Sequence, residues 1–248
     1  MEKTIVRDRP EALPAVARHV GLPDDGVPVP AYLEQTYWWA YLHPRAVSFF
    51  ERQWLVNLIL WGNYVKLRDA ALQELGEPIN GSVLQIACVY GDFTEQLARR
   101  LGPKGHVDVV DVAPVQLANL KNKIDGHSGI TLHRQDSVDL AFADASYDYV
   151  VVFFLLHEQP HDVRVRTIGQ ALRTVRPGGK VVFVDYHQPN PANPFRYIMT
   201  PVLTLLEPFA IDLWLNDISD WLPATVRPAA IDKQTYFGGL YQKVVITR

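Results

Sequence analysis

The chain has 248 residues, of which 48% are hydrophobic and 21% charged, and its formal net charge is -3. This composition is ordinary for a globular protein, and the weak negative charge argues against a nucleic-acid partner. Cys88 has no second cysteine to pair with, which excludes a disulfide scaffold. The N-terminus also lacks the apolar core of a signal peptide, and no run is long enough to span a membrane, so we expect a cytoplasmic protein.

The chain begins with two segments of different character. Residues 1–30 are rich in Pro, Asp and Gly towards their end, which is typical of an extended N-terminal arm. Residues 31–78 place apolar side chains at helical spacing, which Pro44 interrupts and Gly76 ends. This pattern predicts two helices, which we expect to form a helical lid layer.

Between residues 82 and 187, strand-like and helix-like segments alternate. The strand-like runs are SVLQIACV, HVDVVDV, ITLHRQD, YDYVVVFFLL and KVVFVDYH. Amphipathic runs separate several of them: FTEQLARRL, APVQLANLKNKI and RVRTIGQALRTV. This alternation predicts βαβ crossovers and a parallel sheet covered on both faces, with ligands bound where the strands end.

The last part of the chain closes the predicted sheet. Pro177-Gly178-Gly179 indicates a tight reversal before a strand that starts at Lys180. Residues 195–222 predict a helical insertion, and two β runs around Gly238-Gly239 predict a hairpin. Because no linker or internal repeat divides residues 31–248, we expect one domain.

The first strand and its turn, VLQIACVYGDF (83–93), resemble the nucleotide-binding loop of class I S-adenosylmethionine-dependent methyltransferases. The resemblance runs in order through about residues 80–190. It implies a Rossmann-like α/β fold with a mostly parallel seven-stranded sheet, a C-terminal β-hairpin and bound S-adenosylmethionine. In that family an acidic residue and three glycines let the backbone approach the methionyl part of the cofactor. The corresponding positions here are Gln85, Ala87, Val89 and Gly91.

Two aspartates match later parts of the same pattern. Asp111, with Val112 beside it, ends the second strand about 20 residues past the glycine, where a carboxylate can accept both ribose hydroxyls. By resemblance, Asp136 accepts the adenine amino group, with Ser137 beside it. The alternative for either aspartate is a helix cap or a turn former.

Three segments, YWWAYLHPRAV, VLQIACVYGDF and LLHEQP, together resemble the methyltransferase-like rhodoquinone biosynthesis proteins. That resemblance implies replacement of a methoxy group of ubiquinone, or of a related prenylated quinone, by an amino group. S-adenosylmethionine would be the nitrogen donor, with Mn²⁺. Gln85 fits this chemistry, because a neutral neighbour favours the unprotonated, nucleophilic amine of the donor. The alternative is that Gln85 only hydrogen-bonds the cofactor.

Polar side chains at the ends of the fourth and fifth strands are candidates for the manganese ligands or for acid–base groups. Manganese prefers oxygen and imidazole ligands, and adjacent strand ends meet at one crevice. The candidates are His157, Glu158, Asp185 and His187. Alternatively, His157-Glu158 caps a helix and His187 lies on the surface.

Two side chains of the cofactor loop have open interpretations. Tyr90 is a catalytic candidate, because it could cover the methionyl part or donate a hydrogen bond to a quinone oxygen, although it could equally only pack. Cys88 is interpreted as a buried structural cysteine.

Two further functions remain open. A conventional methyltransferase acting on a prenylated quinol or phenol would use a general base such as His157. A non-catalytic relative would bind a partner or lipid through the aromatic segments 37–64 and 195–222. These segments are either core or a lid that touches lipid, and the latter predicts peripheral association with the inner membrane.

Overall fold

The computed structural model describes residues 26–248, so most of the predicted N-terminal arm lies outside the described residues. The described chain forms one sheet with helices on both faces. Its strands are β1 (Ser82–Ile86), β2 (His106–Asp111), β3 (Ile130–Arg134), β4 (Tyr147–Phe153), β5 (Val175–Tyr186), β6 (Ala230–Tyr236) and β7 (Tyr241–Thr247). Its α-helices are α1 (Pro44–Phe50), α2 (Gln53–Ile59), α3 (Tyr64–Gln73), α4 (Phe93–Arg99), α5 (Pro114–Lys123), α6 (His161–Thr174), α7 (Phe195–Leu206) and α8 (Ala210–Leu215).

The seven strands lie in the order β3-β2-β1-β4-β5-β7-β6. Strands β1 to β5 are parallel, whereas β7 runs antiparallel to both β5 and β6. The strand order reverses between β1 and β4, and ligands bind at such switch points because the flanking loops diverge there. The mostly parallel sheet and its terminal hairpin confirm the predicted fold class.

The strands are buried because their sequences are apolar on both faces. Val83, Leu84 and Ile86 of β1 and Val150 and Val151 of β4 have no exposed surface. Continuous apolar runs of this kind are typical of parallel strands that are covered by helices on both sides. The sheet core therefore leaves only the strand ends for polar side chains.

Strand β5 begins earlier than the predicted Lys180. It starts at Val175, opposite Tyr147, and its register with β4 then shifts before Lys180 pairs with Tyr149. Gly178 has a φ of 78°. A Cβ atom on Gly179 would lie 2.6 Å from the carbonyl oxygen of Asp148, so the backbones approach too closely there for any larger residue. The glycines form a bulge within the strand rather than the reversal before it.

The lid layer contains more helices than the two predicted. A π-helix (Leu33–Leu42) precedes α1, and α2 and α3 follow. Pro44 begins α1 because its fixed φ suits the first turn, and Trp61 and Gly62, both with positive φ, separate α2 from α3. Helix α3 then packs on the sheet through fully buried residues such as Leu67.

Residues 195–222 form α7, α8 and a 3₁₀-helix (Ile218–Trp221). Met199 and Leu203 of α7 are buried, one turn apart. Within residues 26–248, no helix is long and apolar enough to cross a membrane. The lid layer and α7 both lie at the carboxyl ends of the strands, where they enclose a cavity.

Candidate functional site

A cavity of about 690 Å³ lies over the carboxyl ends of β1, β2 and β4. Most of the surface that lines it is apolar. The structure places eight of the residues predicted for the site in its lining: Ala87, Tyr90, Asp111, Val112, Asp136, Ser137, His157 and Glu158. The sheet thus brings residues that lie up to 71 positions apart in the chain to one chamber.

The turn after β1 needs unusual backbone conformations. Ala87 has a φ of 76° and Gly91 a φ of 83°, both in the left-handed region. A Cβ atom on Gly91 would lie 2.6 Å from the hydroxyl oxygen of Tyr64, and the Gly91 N–H donates to Glu51 of the lid at 3.2 Å. Gly91 therefore lets the lid pack against the turn, and it is not among the residues that line the cavity.

Gln85 lies behind the turn rather than in the cavity. Its side chain is fully buried; the amide nitrogen donates to the Ala87 carbonyl at 3.0 Å, and its oxygen accepts from the Thr94 hydroxyl at 2.9 Å. In this arrangement the Gln85 side chain does not reach the predicted position of the methionyl amine. Gln85 instead fixes the backbone at Ala87.

Asp111 is held by backbone N–H groups. Its two carboxylate oxygens accept from Cys88 N at 2.7 Å and from Ala113 N at 2.8 Å. Burial raises the pKa of Asp111 to about 6, although these N–H groups oppose the shift. The Val112 N–H and the Cys88 thiol are further donors to this carboxylate, whose place at the end of β2 suits a pair of ribose hydroxyls. Cys88 was predicted as a buried structural cysteine, but it is half-buried and lines the cavity, and its surroundings raise the pKa of the thiol mainly by burial.

Asp136 and Ser137 follow β3 on the same side of the cavity. One oxygen of Asp136 accepts from the Val138 N–H at 3.1 Å. The Ser137 hydroxyl is shared between Thr167 at 2.9 Å and Gln159 at 3.1 Å. The two cofactor candidates Asp111 and Asp136 therefore lie in one wall of the cavity, as the motif order predicts.

Tyr90 joins the cofactor turn to the lid. Its hydroxyl donates to the Ala40 carbonyl at 2.7 Å and accepts from Gln116 at 3.0 Å. Its ring stacks on Tyr41, with centroids 5.5 Å apart, and on Phe50 at 6.0 Å. The hydroxyl that could have served catalysis is thus engaged in closing the lid over the turn.

Charged side chains converge at the other end of the cavity. His157 Nδ1 lies 2.9 Å from Oδ1 of Asp185, an ion-pair distance although the N–H does not point along it, and Nε2 lies 3.7 Å from Oε1 of Glu158. The Tyr41 hydroxyl donates to the same oxygen of Glu158. Burial opposes charge on His157, but Asp185 and Glu158 outweigh it and raise its pKa above the ordinary value.

Two carboxyl groups at this end resist ionisation. Burial raises the pKa of Glu158, and Glu207 raises it further, while the charge of His157 opposes both. Burial also raises the pKa of Glu207, which lies in the same cavity lining. Sequence reasoning missed Glu207; the only signal is that it is the first charged residue after the apolar run 197–206.

A second residue that sequence reasoning missed is Arg164 of α6, which is fully buried. Its guanidinium donates to the carbonyls of Leu156 at 2.8 Å and Gln159 at 2.9 Å, which flank His157 and Glu158. It also donates to the Phe209 carbonyl at 2.7 Å and to Asp212. Arg164 thereby fixes the His157-Glu158 turn against the helical insertion.

The predicted manganese site requires correction. His187 is not part of the charged cluster, because its Nδ1–H donates to the Gly239 carbonyl at 2.8 Å. Asp185 accepts from the backbone N–H groups of Leu156 and Tyr186, so its oxygens are already engaged. Among residues 26–248, no three His, Cys, Asp or Glu side chains are placed to hold one metal ion. The donor set does not fit manganese.

Comparison with known proteins agrees with this geometry. Residues 83–179 match the family model described as "Methyltransferase domain". The demethylmenaquinone methyltransferase of Bacillus licheniformis is 30% identical over 133 residues, which cover 54% of this chain and 56% of that protein. The chain therefore matches about half the length of this curated relative.

Solved structures resemble the fold over a longer range. A SAM dependent methyltransferase from Aquifex aeolicus has a TM-score of 0.55 at 14% identity, covering 83% of this chain and 98% of that one. The Haemonchus contortus phosphoethanolamine N-methyltransferase 2 has a TM-score of 0.58 at 13% identity, covering 89% of this chain and 60% of that one. The described chain has the Rossmann-like fold of class I S-adenosylmethionine-dependent methyltransferases.

Proposed function

We propose that the protein transfers the methyl group of S-adenosylmethionine to a prenylated quinol. The observation that carries this proposal is a single cavity with two different ends. Asp111 and Asp136 lie at one end, beside the turn after β1, and an apolar chamber with His157 and Glu158 forms the other. The similarity to a demethylmenaquinone methyltransferase supports a quinone-like acceptor.

The cofactor end supplies binding and orientation. Asp111 accepts the two ribose hydroxyls, and its hydrogen bonds from the backbone of Cys88 and Ala113 hold the carboxylate in place for them. Asp136 accepts the adenine amino group, and the turn from Ala87 to Tyr90 covers the methionyl part. When bound, S-adenosylmethionine supplies an electrophilic methyl group, so this end needs no proton transfer.

The acceptor end supplies a proton acceptor. A quinol attacks the methyl group more readily as its oxyanion, so a base must take its hydroxyl proton. His157 is a poor base because its raised pKa keeps it protonated at neutral pH. Glu158 is the better one, since a carboxyl group with a raised pKa near neutrality can accept a proton and release it again. Tyr41, which donates to Glu158, holds that carboxylate in position.

The test is an assay with methyl-labelled S-adenosylmethionine and a chemically reduced, short-tailed demethylmenaquinone. We expect labelled methylquinol and S-adenosylhomocysteine by mass spectrometry. Glu158→Gln should lower turnover about 100-fold, the lower range for general-base catalysis, while binding of S-adenosylmethionine remains. Glu34→Gln, at an exposed position of the lid, is the matched control. Cofactor binding without any methylated product would exclude this function.

A second candidate is replacement of a quinone methoxy group by the amine of S-adenosylmethionine, as in rhodoquinone formation. One observation favours it: β1 supplies no carboxylate to the methionyl ammonium, because Gln85 stands there and its amide is engaged within the loop. A neutral amine nitrogen would then add to the methoxy-bearing carbon, and the methoxy group would leave as methanol. The product of this addition still carries the donor on its nitrogen, so an amino group on the quinone requires a second step that breaks the carbon–nitrogen bond of the donor.

The two candidates differ in which atom of the donor reaches the product. S-adenosylmethionine labelled with ¹⁵N in the amine should leave its label in the quinone if amination occurs, and in S-adenosylhomocysteine if methylation occurs. Incubation with ubiquinone and with demethylmenaquinol in parallel assigns the acceptor. Nitrogen label in the ubiquinone product would replace methylation as the function.

A further inference from the structure

The mouth of the cavity is formed by apolar side chains that are also exposed. Leu58 and Ile59 of α2, and Val202 and Leu206 of α7, line the cavity while 61%, 44%, 37% and 51% exposed. Trp61 connects the two sides, since its indole N–H points at the Met199 sulfur 3.2 Å away. The cavity therefore opens between α2 and α7, and the surface around its mouth is apolar and exposed to water, which is unfavourable.

Helix α7 has apolar side chains towards the core and towards solvent, besides a polar stripe of Arg196, Thr200 and Thr204. Met199 and Leu203 face the core, whereas Tyr197, Ile198 and Leu205 are 72%, 46% and 80% exposed. Exposed apolar patches of this kind mark interaction surfaces, so the outer side of α7 indicates a binding partner. Trp54 of α2, which is 59% exposed, extends the same surface on the opposite side of the mouth. We call α2 and α7 with these exposed side chains the apolar rim.

The charges around the apolar rim indicate which partner binds to it. Residues 53–65 and 197–206 contain no charged side chain. Exposed cations, Arg52 and Lys66, flank the first of these stretches, and Arg196 precedes the second. Glu207, which ends the second stretch, lines the cavity and does not lie on the outer surface of the rim. An uncharged apolar face bordered by cations matches an anionic lipid surface, where cations meet headgroups and apolar side chains enter the acyl boundary.

We propose that the apolar rim docks on an anionic lipid bilayer, so that the cavity mouth opens directly into its acyl layer. The identity of the acceptor that enters there rests on the proposed function, but docking itself does not. A prenylated acceptor would slide from the bilayer into the chamber without crossing water, because its tail stays in an apolar medium throughout.

The test is flotation of the full-length protein with unilamellar vesicles of phosphatidylglycerol and phosphatidylethanolamine, beside vesicles of phosphatidylcholine alone. We expect binding to the anionic vesicles that weakens on adding salt. The double substitution Trp54→Ser with Leu205→Ser removes two rim side chains that do not line the cavity and should lower the vesicle partition coefficient at least about tenfold. Ile231→Ser is the matched control.

Ile231 suits this control because it is 44% exposed on β6 but lies away from the cavity. It pairs with Ile246, which lies opposite Val181, five residues before the end of β5 at Tyr186. Its substitution should leave vesicle binding unchanged. Wild-type protein that stays unbound to anionic vesicles would overturn the proposal, as would a double variant that binds like the wild type. If the wild type is a dimer and the double variant is a monomer, the apolar rim binds a second copy of the chain instead.

Turnover separates this proposal from the proposed function. With a short-tailed, soluble acceptor the double variant should retain wild-type activity, and with a long-tailed acceptor in vesicles it should lose about tenfold. Vesicle binding without turnover of any quinol supports docking and excludes the proposed function. Turnover of the soluble acceptor without vesicle binding supports the proposed function and excludes docking.

Discussion

The two ends of the cavity are built from different kinds of contact. At the cofactor end, Asp111 is fixed by N–H groups of the turn after β1 and of its own loop, at 2.7 and 2.8 Å. At the acceptor end, Glu158 takes a hydrogen bond from Tyr41, 117 positions earlier, and Arg164 joins its turn to Phe209. The first end depends on strand ends and short loops, whereas the second depends on distant segments meeting correctly. Damage to the second should therefore leave the first intact.

The largest effect expected from this comparison is on stability, from Arg164→Met. The substitution removes four hydrogen bonds and leaves the carbonyls of Gln159 and Phe209 without this donor, whereas the Leu156 carbonyl keeps the Gln159 N–H. Hydrogen bonds from a charged donor are worth about 1.5–3 kcal/mol each, so the unfolding free energy should fall by at least about 3 kcal/mol. Urea denaturation measures it, and the exposed Arg166→Met on the same helix should change it by less than about 0.5 kcal/mol. At low temperature the folded Arg164 variant should still bind S-adenosylmethionine.

The next effect concerns the cofactor end alone. Asp111→Ala removes the acceptor of two ribose hydroxyls, and hydrogen bonds to a charged group are worth about 1.5–3 kcal/mol each. The Kd for S-adenosylmethionine should therefore rise at least about 100-fold in calorimetry. The exposed Asp125→Ala is the control and should bind like wild type. An unchanged Kd in the Asp111 variant would mean that the adenosyl group lies elsewhere.

A smaller effect is expected from pH. Burial raises the pKa of Asp111 to about 6, so the carboxyl group is protonated below that value and accepts poorly. Affinity for S-adenosylmethionine should be constant well above pH 6 and fall below it, approaching tenfold per pH unit. Asp111→Asn, which cannot titrate, should bind weakly with little dependence on pH. Equal slopes for both proteins would assign the titration to another group.

The smallest effect is expected at Ala87, where a left-handed φ of 76° strains an alanine. Ala87→Gly relieves that strain but adds freedom to the unfolded chain, so we expect at most about 1 kcal/mol of added stability. Ala98→Gly, within helix α4, should instead lose about 1 kcal/mol. Thermal unfolding of both variants measures the difference, and destabilisation at both positions would contradict the strain at Ala87.

The sequence placed Asp111 and Asp136 at the cavity because the determinants of their positions are local. Asp111 directly ends an apolar strand, and parallel strands bring their carboxyl ends to one edge whatever the rest of the chain does. The same reasoning placed Asp136 after β3. Local reasoning could not reveal that the Gln85 side chain turns away from the cavity. That orientation depends on the hydroxyl of Thr94, nine residues later, which donates a hydrogen bond to the Gln85 amide oxygen.

The acceptor end was predicted only in part. The strand ends placed His157, Glu158 and Asp185 together, and the cluster formed. His187 is not in the cluster because the turn between β6 and β7 presents the Gly239 carbonyl to its ring. Glu207 entered it from the helical insertion, whose packing no short motif specifies.

The sequence by itself determined the alternation of strands and helices and the positions of Asp111 and Asp136 after their strands, because apolar runs and strand ends act over a few residues. Only the tertiary structure decided which polar groups face the cavity and which form hydrogen bonds within the protein around it. A buried carboxyl, amide or guanidinium group must find a partner wherever the fold supplies one, and in this protein those partners, such as Tyr41 for Glu158, come from distant parts of the chain.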